Sequence, residues 1–553
     1  MPEFRLEPVD LAMVGVYVVF ILALGLYLAK RTGTTDDYFL AGRSLTWWLI
    51  GLSMFASNVS SSTFVGLSSA AFSSGVAVYN YEWMAALVLI VFLVFFLPFY
   101  IRTRVYTLPE FLEKRFDRKA RYYFSALQIL MNVAIDAAAA LYAGALVARI
   151  LYPEIPLWQS VAVLGILGGL YTIAGGLRAV VYTDAVQAIL LLVGACLIAV
   201  LSFEAIGTDW ASFTSTIPAE DLSIVRPASD AILPWPGLVT GVFLLGFYFW
   251  GTNQFIVQRA LGARSLEHGR YGALFAGLLK LPIIFIVVLP GLFGRILYPP
   301  AEFPALAENA DLIFPTMMFD LLPVGVRGVI ATALLAAIMS SLDSILNSAS
   351  TLVTMDFVRV VRPTASNRAL VITGRIVTFT FMALAILWAP QIERFPNIWT
   401  YLQQMLAYLS PPVVACFVLG IFWKRATAQG AFAALVFGHV GAGAIFVLAL
   451  SDLLIVQSDA LTTAQVQQAA QGVPVVHFLY VAPIVFLVSS AALVATSLLS
   501  KPPDRDHTRG LTWSGADFAE ETRRLHGTPL FLNYRYLSGL LLILIAAIVI
   551  GWW

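Results

Sequence analysis

The run Ala337-Ile338-Met339-Ser340-Ser341-Leu342-Asp343-Ser344-Ile345-Leu346-Asn347-Ser348 sets hydroxyls and a carboxylate inside a long apolar segment, where polar groups are costly and usually functional. On a helix, residues three and four apart share a face, so Ala337, Ser340, Ser341, Asp343 and Ser344 can turn carbonyl, hydroxyl and carboxylate oxygens toward one point. Such oxygens suit a hard cation such as sodium. The competing reading is helix packing, because Ser, Thr and Asn also hydrogen-bond neighbouring helices.

A second polar island, Ala56-Ser57-Asn58-Val59-Ser60-Ser61-Ser62-Thr63, reads as an unwound mid-membrane segment, a backbone tolerated only against protein or water. The carbonyls of Ala56 and Val59 are expected to face the same cation as Ala337, Ser340 and Ser341. Glu82, between Tyr81 and Trp83, and Lys280, in the apolar run Leu278 to Val288, need partners at membrane depth. A polyhydroxylated solute supplies donors and acceptors for both, and Gln403 adds an amide. Snorkelling would explain Glu82 or Lys280 otherwise, and interhelical bonding would explain Gln403. Asp184 either pairs with Arg178 or meets Ser340, Asp343 and Ser344 at a second, inner cation site. Asp136, the other intramembrane acid, has no assigned cavity. Trp83, Tyr248, Phe249, Trp250, Trp399 and Tyr401 have the rings to stack on a pyranose, although most aromatics in such a chain pack or anchor at the interface.

The elements that carry these residues follow from composition. The chain has 553 residues, 60% hydrophobic and 12% charged, with a mean hydropathy of +0.85, which excludes a soluble enzyme and indicates an all-α polytopic membrane protein. Apolar runs predict about fourteen transmembrane helices at 9–29, 46–72, 77–101, 122–149, 157–175, 179–206, 237–258, 272–298, 325–355, 370–389, 397–422, 428–450, 476–499 and 534–553. The first lacks a basic leader and a cleavage site, so it reads as a retained helix. About twenty-five Lys and Arg residues fall in alternate connections, notably Arg102 to Arg121, Arg259 to Arg270, Arg359 to Arg375 and Lys501 to Arg524. Those connections should be cytoplasmic and both termini outside. Cys196 and Cys416 lie in apolar runs, where packing is the default role. The five histidines form no metal pattern, and with no phosphate-binding loop the driving energy must come from an ion gradient.

Transporters are often built from inverted repeats with a discontinuous helix opening each half. The serine-rich second span and the seventh, with Gly241, Gly246, Gly251, Thr252 and Asn253, are the candidates. Residues 1–553 then form one transporter unit: 9–29 an extra helix, 46–206 and 237–422 two inverted halves of five helices, and 428–553 peripheral helices.

These segments resemble the sodium/solute symporter family, in its sodium/sugar cotransporter branch. The likeness runs from about Phe39 to Arg425. It rests on Ser57-Asn58 with Phe64-Val65-Gly66, Tyr81-Glu82-Trp83, Thr107-Leu108-Pro109-Glu110-Phe111 followed by Lys114-Arg115-Phe116, and Gly175-Gly176 to Asp184. Asn253-Gln254 with Gln258-Arg259, Leu279-Lys280-Leu281, Ser340 to Asp356, and Tyr401-Leu402-Gln403 extend it. The resemblance implies a LeuT-like 5+5 inverted repeat and sodium-driven alternating access. It implies a main sodium site at Ala56, Val59, Ala337, Ser340 and Ser341, and solute contacts at Asn58, Glu82, Lys280 and Gln403. In members with a second sodium, an acid at Asp184 and hydroxyls near Ser344 contribute; Asp343 stands where a hydroxyl or small residue is common. Thr63 replaces a Gln or His, Phe249 a gating Tyr, Ala85 a serine and Gly246 an asparagine. Each loses a hydrogen-bonding group, so galactose specificity does not carry over.

The expectation is a sodium-coupled symporter, not an enzyme, importing a monosaccharide or related polyol across the cell membrane. Asn58, Thr63, Glu82, Phe249, Lys280, Trp399 and Gln403 face the solute, the partners are Na+, the solute and lipid, and nucleic acid is not among them. Symport of sialic acid, inositol or a carboxylate, proton coupling through Asp136, Asp184 or Asp343, and a sodium channel or nutrient sensor on the same scaffold are the alternatives. If Asp343 helps hold a second ion, Asp343→Ala lowers the sodium Hill coefficient of uptake; an unchanged coefficient and reversal potential would remove that site.

Overall fold

The computed structural model describes residues 6–30, 33–151, 154–394, 398–457 and 461–553, with backbone alone at 150, 151, 393, 394, 398–401, 463 and 505. Apolar runs become helices because lipid offers backbone groups no partners. Helix α1 (Pro8–Ala29) lies at the periphery, yet its Asp10 is fully buried. Asp10 Oδ1 accepts hydrogen bonds from the backbone N–H groups of Gly325 at 2.7 Å and Gly328 at 2.8 Å, capping from outside the helix that carries the Ser340 run.

The serine-rich span is broken as expected. Helix α2 (Trp47–Asn58) stops at Val59 (φ −80°, ψ 82°), and α3 (Ser61–Ser74) restarts after Ser60. Ser60 and Thr63 form a reciprocal cap, Thr63 N to Ser60 Oγ at 3.3 Å and Ser60 N to Thr63 Oγ1 at 3.2 Å, so the break is written in the sequence. Helix α4 (Asn80–Val91) runs through a wide turn into Leu97–Thr103. Helix α5 (Arg118–Leu130) passes through a second wide turn, Met131–Ala137, into α6 (Ala138–Leu151). The stretch α7 (Leu157–Ile206) holds 50 residues in two helical arms, together enough for two crossings of a bilayer core at about 1.5 Å per residue. It is bent at Gly176 (φ 57°, ψ −157°), where an added Cβ would lie 2.3 Å from Tyr38 O.

The seventh expected span is likewise discontinuous: α8 (Phe243–Phe247) lies between wide turns at Leu238–Val242 and Tyr248–Thr252, and Asn253 (φ −78°, ψ 127°) separates it from α9 (Gln254–Leu261). Then come α10 (Leu266–Lys280), α11 (Leu289–Leu297), α12 (Val326–Leu352) and α13 (Asn367–Trp388). Helices α14 (Ile398–Leu409) and α15 (Pro411–Phe422) form a bent pair, at 48°. Pro411 and Pro412 have no N–H, and Val413 N turns to Ser410 O at 3.1 Å. His439 Nε2, from α16 (Ala428–Leu450), lies 3.0 Å from the Leu409 carbonyl so left, and His439 Nδ1 lies 3.0 Å from Tyr123 OH. Helices α17 (Phe478–Leu499), α18 (Gly515–Leu525) and α19 (Tyr534–Gly551) complete the chain.

Among the described residues, ten helical stretches are long and apolar enough to cross a membrane, eleven with the bent pair. The difference from fourteen lies at the breaks: 46–72 and 237–258 are interrupted, and the spans expected at 157–175 and 179–206 meet at the Gly176 break and so count as one stretch. The all-α expectation also missed a parallel strand pair, Ile455–Gln457 with Val475–His477, between α16 and α17. Arg270, expected in a cytoplasmic connection, is buried: its Nη1 lies 2.6 Å from Glu521 Oε1 of α18. Partial burial opposes the Glu521 charge, but Arg270 and Arg535 outweigh it and hold the carboxyl below its ordinary value. Helix α7 meets α12 where small residues allow close approach, Gly168 against Leu342 and Gly194 against Ala333. Because Gly176 combines positive φ with a carbonyl contact, Gly176→Ala lowers stability by at least ~1–3 kcal/mol, read as a lower unfolding temperature in detergent.

Candidate functional site

The break between α2 and α3 lies against the middle of α12. Ser340 Oγ donates to Ala56 O at 2.9 Å and lies 3.1 Å from Ala337 O; Ser341 Oγ lies 3.4 Å from Ser57 O. Val59 is fully buried where α2 leaves helical geometry. Ser340 thus draws Ala56 and Ala337 together, with Ser341 against the neighbouring Ser57 carbonyl, and neutral oxygens of this kind suit a hard monovalent cation.

One turn further along α12 lies a charged network. Asp184 Oδ2, on α7, accepts from Ser53 Oγ at 2.5 Å and lies 3.3 Å from both Ser57 Oγ and Arg259 Nη2. Arg259 Nε donates to Ser53 Oγ at 2.9 Å, and its Nη2 also donates to Ser344 Oγ. Ser344 Oγ lies 2.9 Å from Ser57 Oγ and 3.1 Å from Asp343 Oδ1, while Asp343 Oδ2 accepts from Tyr171 OH. Asp184, Asp343 and Ser344 therefore share one network, Asp184 reaching Ser344 through Ser57 and Arg259. The expected alternative partner of Asp184, Arg178, is replaced by Arg259, which stands within the group. Arg259 opens the basic run Arg259 to Arg270, expected as a cytoplasmic connection. Its helix instead has all eight residues buried, and the signal was the apolar run Phe255-Ile256-Val257 just before Gln258-Arg259.

Beside the break is a cavity of about 120 Å³. Of the expected solute contacts, Asn58, Thr63, Glu82, Phe249 and Gln403 line it, with Trp250, Ser341 and Asp136. Lys280 is fully buried behind this wall, paired to Glu82, with its Nζ 5.6 Å from the Trp250 ring centroid. Glu82 and Lys280 are therefore each other's partners, with Glu82 still facing the cavity. Trp83 and Tyr248 are absent from the lining: Trp83 Nε1 donates to Asn80 Oδ1 at 2.6 Å, and Tyr248 OH lies 3.4 Å from Met131 Sδ. The side chain of Trp399, the remaining expected contact, lies outside the described residues. Asp136, which sequence reasoning left unplaced, projects from the wide turn between α5 and α6. Wide turns often mark functional sites, but among alanines nothing in the sequence said which face Asp136 would take.

Two interrupted helices around a buried polar cavity, inside a bundle of apolar helices, define a multi-pass membrane transporter. Residues 38–438 match the profile of the sodium:solute symporter family, and the chain belongs to that family. It is 36% identical over 543 residues to sodium/glucose cotransporter 4 of Danio rerio, covering 92% of this chain and 82% of that protein. It is also 36% identical over 546 residues to sodium/myo-inositol cotransporter 2 of Oryctolagus cuniculus, covering 93% and 80%. A solved structure, the substrate-bound outward-open state of a Na+-coupled sialic acid symporter, matches with a TM-score of 0.75 and 25% identity over 90% of this chain and 99% of that one. These relatives are cotransporters, not enzymes. Removing Arg259 alone leaves the Asp184 charge buried and unpaired: Arg259→Ala costs about 3–5 kcal/mol, whereas Asp184→Asn with Arg259→Gln recovers most of the loss in thermal unfolding.

Proposed function

We propose that this protein imports a monosaccharide or related polyol, driven by sodium, by alternating access. The observation that carries the reading is the adjacency of two polar sites at the α2–α3 break, the neutral oxygens of Ala56, Ala337, Ser340 and Ser341 on one side and the cavity lined by Asn58, Thr63, Glu82 and Gln403 on the other. In this reading Val59 completes the main sodium site, and Lys280, Phe249 and Trp399 belong with the cavity group. The cavity is small, which favours one sugar ring over an oligosaccharide. The glucose and inositol relatives support a neutral polyol.

An anionic solute such as sialic acid fits less well. Lys280 is engaged by Glu82, and the lining, among the described residues, adds the Asp136 carboxyl but no further cation. Ala56 lies on the first interrupted helix and Ser340 on α12, so an ion between them favours the state in which those helices are close. Solute that binds that state then gains affinity from sodium. One sodium at 100 mV contributes about 2.3 kcal/mol, roughly fifty-fold accumulation. A second sodium at Asp184, Asp343 and Ser344 requires Arg259 to give up Asp184.

The wider architecture belongs to the same proposal: fourteen spans in the cell membrane, an extra helix at 9–29, inverted halves at 46–206 and 237–422, peripheral helices at 428–553, and both termini outside. The test is uptake of a radiolabelled sugar and polyol panel into proteoliposomes, with and without an inward sodium gradient. Sodium-driven accumulation of one member, lost in Lys280→Ala, is expected. No sodium-stimulated uptake across the panel would sink the reading.

A further inference from the structure

Below the Ser340 site, α12 carries Ser344, Asn347 and Thr351 at helical spacing on one face, with Thr354 just beyond. Helix α9 flanks this face: Arg259 Nη2 donates to Ser344 Oγ, and Gln258 Nε2 donates to Thr351 Oγ1 at 2.9 Å and to Phe39 O at 2.6 Å. Thr351 Oγ1 in turn donates to Asn347 O at 2.7 Å. Asn347 is only 1% exposed, and neither atom of its side-chain amide has a partner. Asp184 Oδ1, Arg259 Nη1, Gln258 Oε1 and Thr354 Oγ1 are also buried without partners. Buried polar atoms are ordinarily paired with protein or ordered water. Among the buried unpaired polar atoms of the described residues, these cluster where α7 and α9 meet the inner half of α12, a seam whose donors and acceptors water can satisfy and whose oxygens can also meet a cation.

Resting on the sodium reading above, we infer that the seam between α9 and the inner half of α12 is the route by which sodium leaves the main site, with the Asn347 amide as a transient ligand one turn below Ser344. An amide oxygen and hydroxyls are suitable ligands for a hard cation and hold it without a fixed charge, so the ion can move on. The seam leads toward the α12 end that the basic connections place in the cytoplasm. Arg259 and Gln258 close it here: their bonds to Ser344 and Thr351 draw α9 onto α12, those to Asp184 and Phe39 O anchor α9 to its other neighbours, and opening breaks them together.

Two measurements in proteoliposomes test this. In the first, Asn347→Leu keeps the side-chain volume and removes the amide, while Asn347→Ser keeps an oxygen. Maximal sodium-driven uptake is expected to fall about ten-fold or more in Asn347→Leu, with half-saturating external sodium within about two-fold of wild type, and Asn347→Ser should retain most of the rate. A wild-type rate in Asn347→Leu overturns the inference. In the second, Asn347→Cys and Thr354→Cys, each in a Cys196→Ser, Cys416→Ala background, are treated with a membrane-impermeant cationic thiol reagent on the face carrying Lys501 to Arg524. Modification of both, slowed by sodium on the opposite face, is expected. No modification of either under any gradient means a dry seam and also overturns the inference, and this readout stands if Asn347→Leu does not fold. Absent sodium-driven uptake in wild type would fail the transport reading, whereas intact wild-type uptake with unlabelled thiols fails only the route.

Discussion

The burial of Arg259 against Asp184 is the constraint around which the centre of this protein is organised. Neither residue has exposed side-chain surface, so each charge has given up water and depends on the other for compensation. Such pairs add little net stability, because desolvation offsets most of the attraction, but breaking one is expensive. Here the pair also recruits Ser53, Ser57 and Ser344, joining α2, α7, α9 and α12 through one cluster. Helices that lipid alone would leave free to slide are thereby fixed in register.

Interrupted helices serve the same centre differently. A continuous helix consumes its own carbonyls; one that stops at Val59, or at Asn253, releases them in the apolar interior. The chain handles the cost with local partners. Ser60 and Thr63 cap the restart of α3, and Asn253 Oδ1 accepts from Phe255 N at 3.2 Å to start α9. The freed oxygen nearest Ser340, that of Ala56, is met by the Ser340 hydroxyl from α12. At the α14–α15 bend the repair comes from outside the broken helix, through His439, so that bend is tied to a peripheral element.

Local features of this architecture were legible in the sequence. Runs of apolar residues marked the helices, and clusters of Ser, Asn and Gly marked the two breaks, because both signals lie within a few adjacent residues. The hydroxyl face of α12 was legible for the same reason: its spacing repeats with the helix. Partnerships across the fold were not. Glu82 and Lys280 lie 198 positions apart, and each looked like a charge awaiting a solute. Arg259 was mistaken for a loop residue because hydropathy averages over a window, and five positions later comes Arg264. The cavity position of Asp136 depends on the rotation that a wide turn imparts, which residue types do not encode.

Asp10 has a consequence for the field along α12. A helix carries partial positive charge at its start and partial negative charge at its end. The Asp10 carboxylate, bonded to Gly325 N and Gly328 N, screens the positive pole of α12 and leaves the negative pole uncompensated by it. A full negative charge beside a pole of about half a unit more than offsets it, so the start of α12 no longer repels a cation. The peripheral helix α1, remote from the cavity, thus flattens the field along the helix that carries the Ser340 run.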